Sequence, residues 1–331
     1  MEIPDRASQR EHGYTPSMKY RILGKTNLRT SVVGIGTWQY GGEWGVDFTQ
    51  TVVDSIFNAA RELGVNLIDT AECYGDHTSE AFVGNAIRRD RDKWVVATKF
   101  GHVFHGPFNR TDERSAKDVR AQVTKSLGAL KTDYIDILQY HSVRDSEFMD
   151  ESVRDELAKL VAEGKVRFIG NSIGAGAIST EGQNAQASLS EKFNVSVLQV
   201  IYNRLDQRPD RGSDGVFKIA VQQQLGVLAR VPLASGLLSG KYQPGTVFPE
   251  GDVRAKWQDP HLDAKLQQVQ EIAKTEVPVG VDMATWALAW CLQHPAVTAV
   301  IPGCKSAKQL EQNAAAAALG LVRTDHPQAA A

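Results

Sequence analysis

No stretch of this sequence approaches the roughly 20 consecutive apolar residues that a helix needs to span a bilayer, so a membrane partner is not expected. An excess of either charge is also missing: 37 Lys and Arg stand against 39 Asp and Glu, a formal net charge of −2. Nucleic-acid binding, which needs a basic surface, is therefore not expected. Cysteine is limited to Cys73, Cys291 and Cys304, an odd number with no metal-ligand spacing. That excludes a disulfide framework, gives no reason to expect a metal, and points to a reducing compartment, the cytoplasm. Residues 1–17 are polar and lack the apolar centre of a signal peptide, which predicts a loose tail.

What is present is a repeated alternation. Short β-branched runs are predicted as strands over Val32 to Gly36, Val65 to Asp69, Trp94 to Lys99, Tyr134 to Tyr140, Val166 to Gly170, Val195 to Ile201, Gly226 to Val231 and Val297 to Ile301. Helical patterns over Thr51 to Leu63, Ser79 to Arg88, Lys117 to Leu130, Glu151 to Ala162, Val216 to Gln224 and Met283 to Gln293 lie between them. Gly64, Gly164 and Gly226 each stand where a helix ends before a strand, positions suited to a left-handed residue. Strand–helix alternation implies a parallel sheet, and eight repeats imply a closed (β/α)8 TIM barrel in the α/β class, spanning residues 18–323. Lys19 to Leu23 and Arg29 to Val32 predict an N-terminal hairpin beneath it. Tyr242 to Pro260, with three prolines, predicts a long loop on the active face. The alanine-rich end is expected to fray into a flexible tail over 324–331. An open dinucleotide-binding sheet would need G-x-G-x-x-G after its first strand; Gly34-Ile35-Gly36-Thr37-Trp38-Gln39 lacks the third glycine.

In a barrel of this kind the C-terminal strand ends converge on the active face. Asp69 closes the second predicted strand and Tyr74 follows it. Lys99 closes the third, and His141 follows the fourth. Such a set suits proton donation to a carbonyl oxygen. An ammonium beside a phenol favours its ionisation, so Lys99 is expected to lower the pKa of Tyr74, with Asp69 holding the lysine and His141 orienting the substrate oxygen. Singly, an Asp–Lys pair is more often a structural salt bridge; the joint placement is what carries the argument.

These motifs resemble the aldo-keto reductase family from about Met18 to Asn313, in a bacterial form. The resemblance rests on Tyr20 to Leu28 with Gly34 to Trp38, on Asp69-Thr70-Ala71-Glu72-Cys73-Tyr74-Gly75, on Lys99, and on Thr132 to His141. It implies a catalytic set of Asp69, Tyr74, Lys99 and His141, and reversible reduction of a small-molecule aldehyde or ketone to the alcohol. It also implies NADPH/NADP+ as cofactor, with NADH weaker. Gly36, Thr37 and Trp38 follow the first strand into that cofactor site. Ser172 and Gln199 fall where the family holds the nicotinamide amide, although Ile173 replaces the usual asparagine and Asn171 lies one place early. Arg230 stands where many members place a stacking tyrosine. Pro232, Leu233, Ser235, Gly236, Leu237, Ser239 and Lys241 belong to the loop that clasps the pyrophosphate. Ile301, Gly303, Lys305 and Ser306 match the segment holding the adenosine 2′-phosphate, with Gln309, Gln312 and Asn313 toward the ribose and adenine.

Trp38, Tyr40, Phe100 and His102, in loops after the first and third strands, are candidates for the substrate pocket, and Trp44 and Phe104 are further aromatics at that face. His102 and His105 form H-x-x-H but lack a third ligand in register, so they do not predict a metal. Two other functions fit parts of the pattern. A cofactor-binding regulatory subunit, resembling the potassium-channel β subunits, would keep the same four residues; a Schiff-base aldolase would use Lys99 as an uncharged nucleophile. The oligomeric state and the natural substrate are not written in these residues.

Overall fold

The computed structural model describes residues 18–174, 179–212, 214–257 and 259–330. The expected tail over residues 1–17 lies outside them. Eight parallel strands form one curled sheet: β1 Ile35–Gly36, β2 Leu67–Asp69, β3 Val95–Phe100, β4 Ile135–His141, β5 Val166–Ser172, β6 Val195–Ile201, β7 Gly226–Arg230 and β8 Ala299–Val300. Parallel bridges from Val33 to Val300 and from Gly36 to Gly303 join the first and last strands and close the barrel. All six predicted helices form within a residue or two of the expected bounds, as Gln50–Leu63, Thr78–Ile87, Ala116–Leu130, Glu151–Ala162, Val216–Gln222 and Met283–Leu292. Further helices cover Thr180–Ser188, Leu262–Thr275 and Ala307–Ala314. Among the described residues, no helix is long and apolar enough to cross a membrane.

Strand side chains alternate between two faces, and here the faces are two different cores. Leu67, Val95, Ala97, Ile137, Val197, Leu228, Ala299 and Ile301 point inward and pack together. Ile68, Val96, Leu138, Ile169, Leu198 and Val300 point outward, against helices such as Gln50–Leu63, through Val53, Ile56 and Phe57. The N-terminal hairpin, Tyr20–Ile22 paired antiparallel with Arg29–Ser31, contributes Leu23 and Leu28 to the inner cluster and so plugs the barrel bottom.

Several expectations need correction. Gly64 (φ 73°) and Gly164 (φ 73°) take the left-handed conformation, but at Gly226 that role passes to Gln224 (φ 53°). Gly226 is a glycine for space: a Cβ there would stand 2.5 Å from the Leu23 side chain. Residues 102–112, expected as a loop, form a hairpin of His102–Gly106 and Asn109–Asp112. The long segment before Pro260 contains the short helix Val253–Trp257. The chain from residue 324 to 330, expected as a flexible tail, is docked. His326 is buried, the Ile22 N–H donates to the Gln328 carbonyl, and the Ala330 N–H donates to the Tyr20 carbonyl.

Candidate active site

The alternation that fills the barrel also builds its upper layer. One step above the apolar inner cluster, the inward positions become Asp69, Lys99, Gln139, Ser172, Gln199 and Arg230, each near the C-terminal end of its strand. Lys99 Nζ donates to Asp69 Oδ2 at 2.8 Å, to the Thr70 carbonyl at 2.7 Å and to Tyr74 Oη at 3.2 Å. The other Asp69 oxygen accepts from Gln199 at 2.7 Å and from Gln139 at 3.2 Å. Ser172 Oγ donates to Gln199 Oε1 at 3.2 Å. A buried ammonium and a buried carboxylate are each costly alone; here every donor and acceptor has a partner, which makes the pair tolerable.

Burial lowers the pKa of Lys99, but Asp69 and Tyr74 together outweigh it and the pKa is raised. A lysine held charged is a poor amine nucleophile, which counts against the aldolase reading. For Tyr74 the balance runs the other way. Burial raises its pKa to about 12, against the opposing pull of Lys99. The expected net lowering therefore does not occur: the lysine moderates a larger desolvation effect, and the phenol is protonated at neutral pH. His141 is held far below its ordinary value by burial and by neighbouring His102 and Lys99, so its ring is neutral. Its ring meets Tyr74 edge-on, with centroids 6.1 Å apart.

Tyr74 sits on a turn that a hydroxyl network pins. Ser79 Oγ donates to Thr37 and lies 3.1 Å from Thr70 Oγ1, tying the turn to the segments after β1 and β2. Glu43, fully buried, accepts from Trp38 Nε1 at 2.6 Å, from the Phe108 N–H at 2.8 Å and from Arg110. It thereby fastens the hairpin 102–112 to the loop after β1.

Above this layer lies a cavity of about 580 Å³. It brings together Gly36, Thr37, Trp38, Asp69, Tyr74, Lys99, His102, His141, Ser172, Gln199 and Arg230. Pro232, Leu233, Ser235, Gly236, Ser239, Lys241, Ile301, Gly303, Lys305, Gln309, Gln312 and Asn313 line its extension toward the rim. Four expected residues are not in it. Phe100 follows Lys99 by one, so strand parity turns it outward onto Tyr140. Tyr40 is buried against Phe48 in the outer core. Leu237 packs beneath its loop with Leu238 and Trp286. Ser306 accepts from the Gln309 N–H and caps the helix Ala307–Ala314. The same parity explains the asparagine one place early: Asn171 faces outward and donates to Gln186. Arg230 reaches back to the Ile173 carbonyl at 2.8 Å, leaving its Nε buried and unpartnered.

Trp44, one of the aromatics expected at this face, lines the cavity, as does Arg254, which had no motif to announce it. Trp44 and Asp252 pair through an antiparallel bridge between the loops after β1 and β7. Arg254 grips Asp252 through two nitrogens and donates to the Ser235 carbonyl and Tyr242 Oη. His105 hydrogen-bonds with Thr111 and His102 with Asp112, across the hairpin 102–112.

A long cavity fits a dinucleotide on three counts. Its volume lies in the range of cofactor pockets. Ala234, Ser235 and Gly236 have consecutive positive φ (47°, 56° and 93°), a tight turn closed by the Ala234 and Gly236 N–H groups on the Val231 and Leu233 carbonyls, which lines the cavity with the small residues Ser235, Gly236 and Ser239. Arg230 offers a buried donor without a partner.

Comparison with known proteins agrees. The family model described as "Aldo/keto reductase family" matches residues 32–330. The chain is 30% identical to the "L-glyceraldehyde 3-phosphate reductase" of Escherichia coli K12, over 89% of this chain and 86% of that protein. It is 30% identical to a Schizosaccharomyces pombe protein named "Putative voltage-gated potassium channel subunit beta", over 93% and 90% respectively. An aldo-keto reductase from Bacillus halodurans, solved in its holo form, superposes with a TM-score of 0.74 at 27% identity, covering 90% of each chain.

Proposed function

Since the chain belongs to the aldo/keto reductase family, we propose that Tyr74 is the proton donor of its reaction and that Asp69, Lys99 and His141 serve it. At the level of the family the protein is an NADPH-dependent oxidoreductase that reduces carbonyl groups of small molecules. When bound, the nicotinamide supplies the hydride. The chain's own residues do the rest. Tyr74 holds its proton at neutral pH and delivers it to the carbonyl oxygen as negative charge develops there. Lys99, 3.2 Å from Tyr74 Oη and kept charged by Asp69, stabilises the phenolate left behind. His141, neutral and adjacent, orients the carbonyl oxygen.

Ser172 and Gln199 would hold the carboxamide, and Arg230 would lie along the ring. Gly36, Thr37, Trp38 and the turn from Pro232 to Lys241, with Ser235, Gly236 and Ser239 at its centre, would enclose the cofactor's middle. Lys305 and the first amides of the helix capped by Ser306 would take the 2′-phosphate and favour NADPH over NADH. His102 and Trp38 would face the substrate. Three unpaired buried cysteines support a reducing, cytoplasmic setting.

The observation that carries this reading is the unbroken chain of contacts Asp69–Lys99–Tyr74 at the inner end of the cavity. Tyr74→Phe tests it. Carbonyl reduction should fall at least about 1,000-fold while NADPH still quenches tryptophan fluorescence with near-parental affinity. A Tyr74→Phe protein with parental turnover would overturn the assignment. The likeness to the Schizosaccharomyces pombe protein favours a second reading, a cofactor-sensing regulatory subunit. That reading expects the parent itself to bind NADPH yet turn over aldehydes negligibly.

A further inference from the structure

Behind His141 lies a buried carboxylate that the reaction does not use. Glu72 is 2% exposed. Its Oε1 accepts from the His102 N–H at 3.0 Å and stands 3.6 Å from His141 Nδ1, while its Oε2 is buried with no partner. The next residue, Cys73, places Sγ 3.7 Å from the same ring nitrogen. A carboxylate oxygen, a thiol sulfur and an imidazole nitrogen thus lie within 4.8 Å of one another, the single such group of three among the described residues.

We propose that Glu72, Cys73 and His141 form a binding site for a borderline-soft divalent cation of the zinc type, entered from the cavity. In a tetrahedral zinc site the metal–sulfur distance is about 2.3 Å and the metal–nitrogen distance about 2.0–2.1 Å, so neighbouring ligand atoms stand about 3.5 Å apart. The 3.6 and 3.7 Å separations around His141 Nδ1 meet that spacing, while Glu72 and Cys73, within 4.8 Å of each other, close onto the ion as it binds. Magnesium and calcium are disfavoured, since they require six or more oxygen ligands. Charge also balances. The incoming ion displaces the Cys73 thiol proton to solvent, and one thiolate plus one carboxylate neutralise its two positive charges. Cys73 and His141 both line the cavity, so the fourth coordination position opens toward it and takes water. Sequence spacing could not reveal this site, because two ligands are adjacent and the third arrives from a different strand end.

The test uses the full chain without cofactor, so it reads out whether or not Tyr74 is the proton donor. Cobalt(II) is titrated in and the near-ultraviolet sulfur-to-cobalt charge-transfer band is followed. The expected result is a band that saturates at one cobalt per chain and is abolished by one equivalent of zinc. It should vanish in Cys73→Ala and persist in Cys291→Ala and Cys304→Ala. Glu72→Gln should weaken zinc at least about tenfold in competition with a chromogenic chelator. Absence of the band in the parent, its survival in Cys73→Ala, or its loss in Cys291→Ala or Cys304→Ala would overturn the proposal. The last two variants keep the test decisive if Cys73→Ala fails to fold.

Discussion

Gly41 and Gly75 meet backbone to backbone. A Cβ on Gly41 would stand 2.6 Å from the Tyr74 carbonyl carbon, and one on Gly75 would stand 2.8 Å from the Gly41 carbonyl oxygen. The loop after β1 therefore rests directly on the turn that carries the tyrosine, with no side chain between them. Gly41→Ala must push the turn away by a few tenths of an ångström or more. Misplacing a reacting group on that scale is costly. Turnover of a carbonyl substrate should fall about 10- to 100-fold, with NADPH affinity by fluorescence titration changed less than threefold. A Gly41→Ala enzyme with unchanged kcat would show that the contact does not position Tyr74.

Lys305 is half-buried at the rim, where its Nζ donates to the Trp44 carbonyl at 3.3 Å and burial lowers its pKa. If it binds the 2′-phosphate, Lys305→Ala should weaken NADPH about tenfold and leave NADH within twofold. Separate fluorescence titrations check both. Equal losses for the two cofactors would assign the lysine to loop structure instead.

Arg21 makes a different prediction. It is fully buried at the barrel bottom, and its guanidinium donates to the Val297 and Leu292 carbonyls at 2.6 and 2.8 Å. Burial lowers its pKa to about 9, the signature of a charge held by backbone dipoles without a carboxylate. Arg21→Met leaves those carbonyls without this donor and should cost about 2–4 kcal/mol in urea denaturation.

His326 predicts the response to acid. Burial, aided by Arg21, presses its pKa down to about 4, against about 6.5 for an unfolded histidine. Below pH 6.5 the unfolded chain takes up a proton that the folded chain refuses. The stability present above that pH is therefore lost progressively as pH falls toward 4. The expected contribution is about 2 kcal/mol between pH 7 and pH 5. His326→Gln keeps a donor and an acceptor but cannot titrate, so its pH dependence over that interval should be shallower by this amount.

Much of the site was legible because strand parity is a strict rule. Once Asp69 and Lys99 are inward, every second residue of β2 and β3 is fixed, and the same rule should have moved Phe100 out of the pocket. Helix Thr180–Ser188 escaped because its buried residues include Gln183 and Gln186, which donate to the carbonyls of Gly174 and Val143. A polar face used as a hydrogen-bonding surface leaves no apolar period to read. Helix Leu262–Thr275 did carry one, in Leu262, Leu266, Val269 and Ile272. Glu43 and Arg254 were invisible for another reason: their placement depends on loops from different strands meeting over the cavity. The same holds for Tyr74, whose proximity to lysine was correct while its net ionisation was not. Desolvation is a property of everything around a residue, and no motif encodes it.

The docking of residues 324–330 onto the N-terminal hairpin divides the labour of the molecule. The Ala330–Tyr20 and Gln328–Ile22 hydrogen bonds fasten the two ends of the described chain to each other on the closed side of the ring. Mechanical integrity is thus concentrated at one pole and chemical choice at the other. Loops on the opposite face can change in length or sequence without unfastening the seam, so a new substrate preference can be acquired at one end while the clasp at the other stays intact.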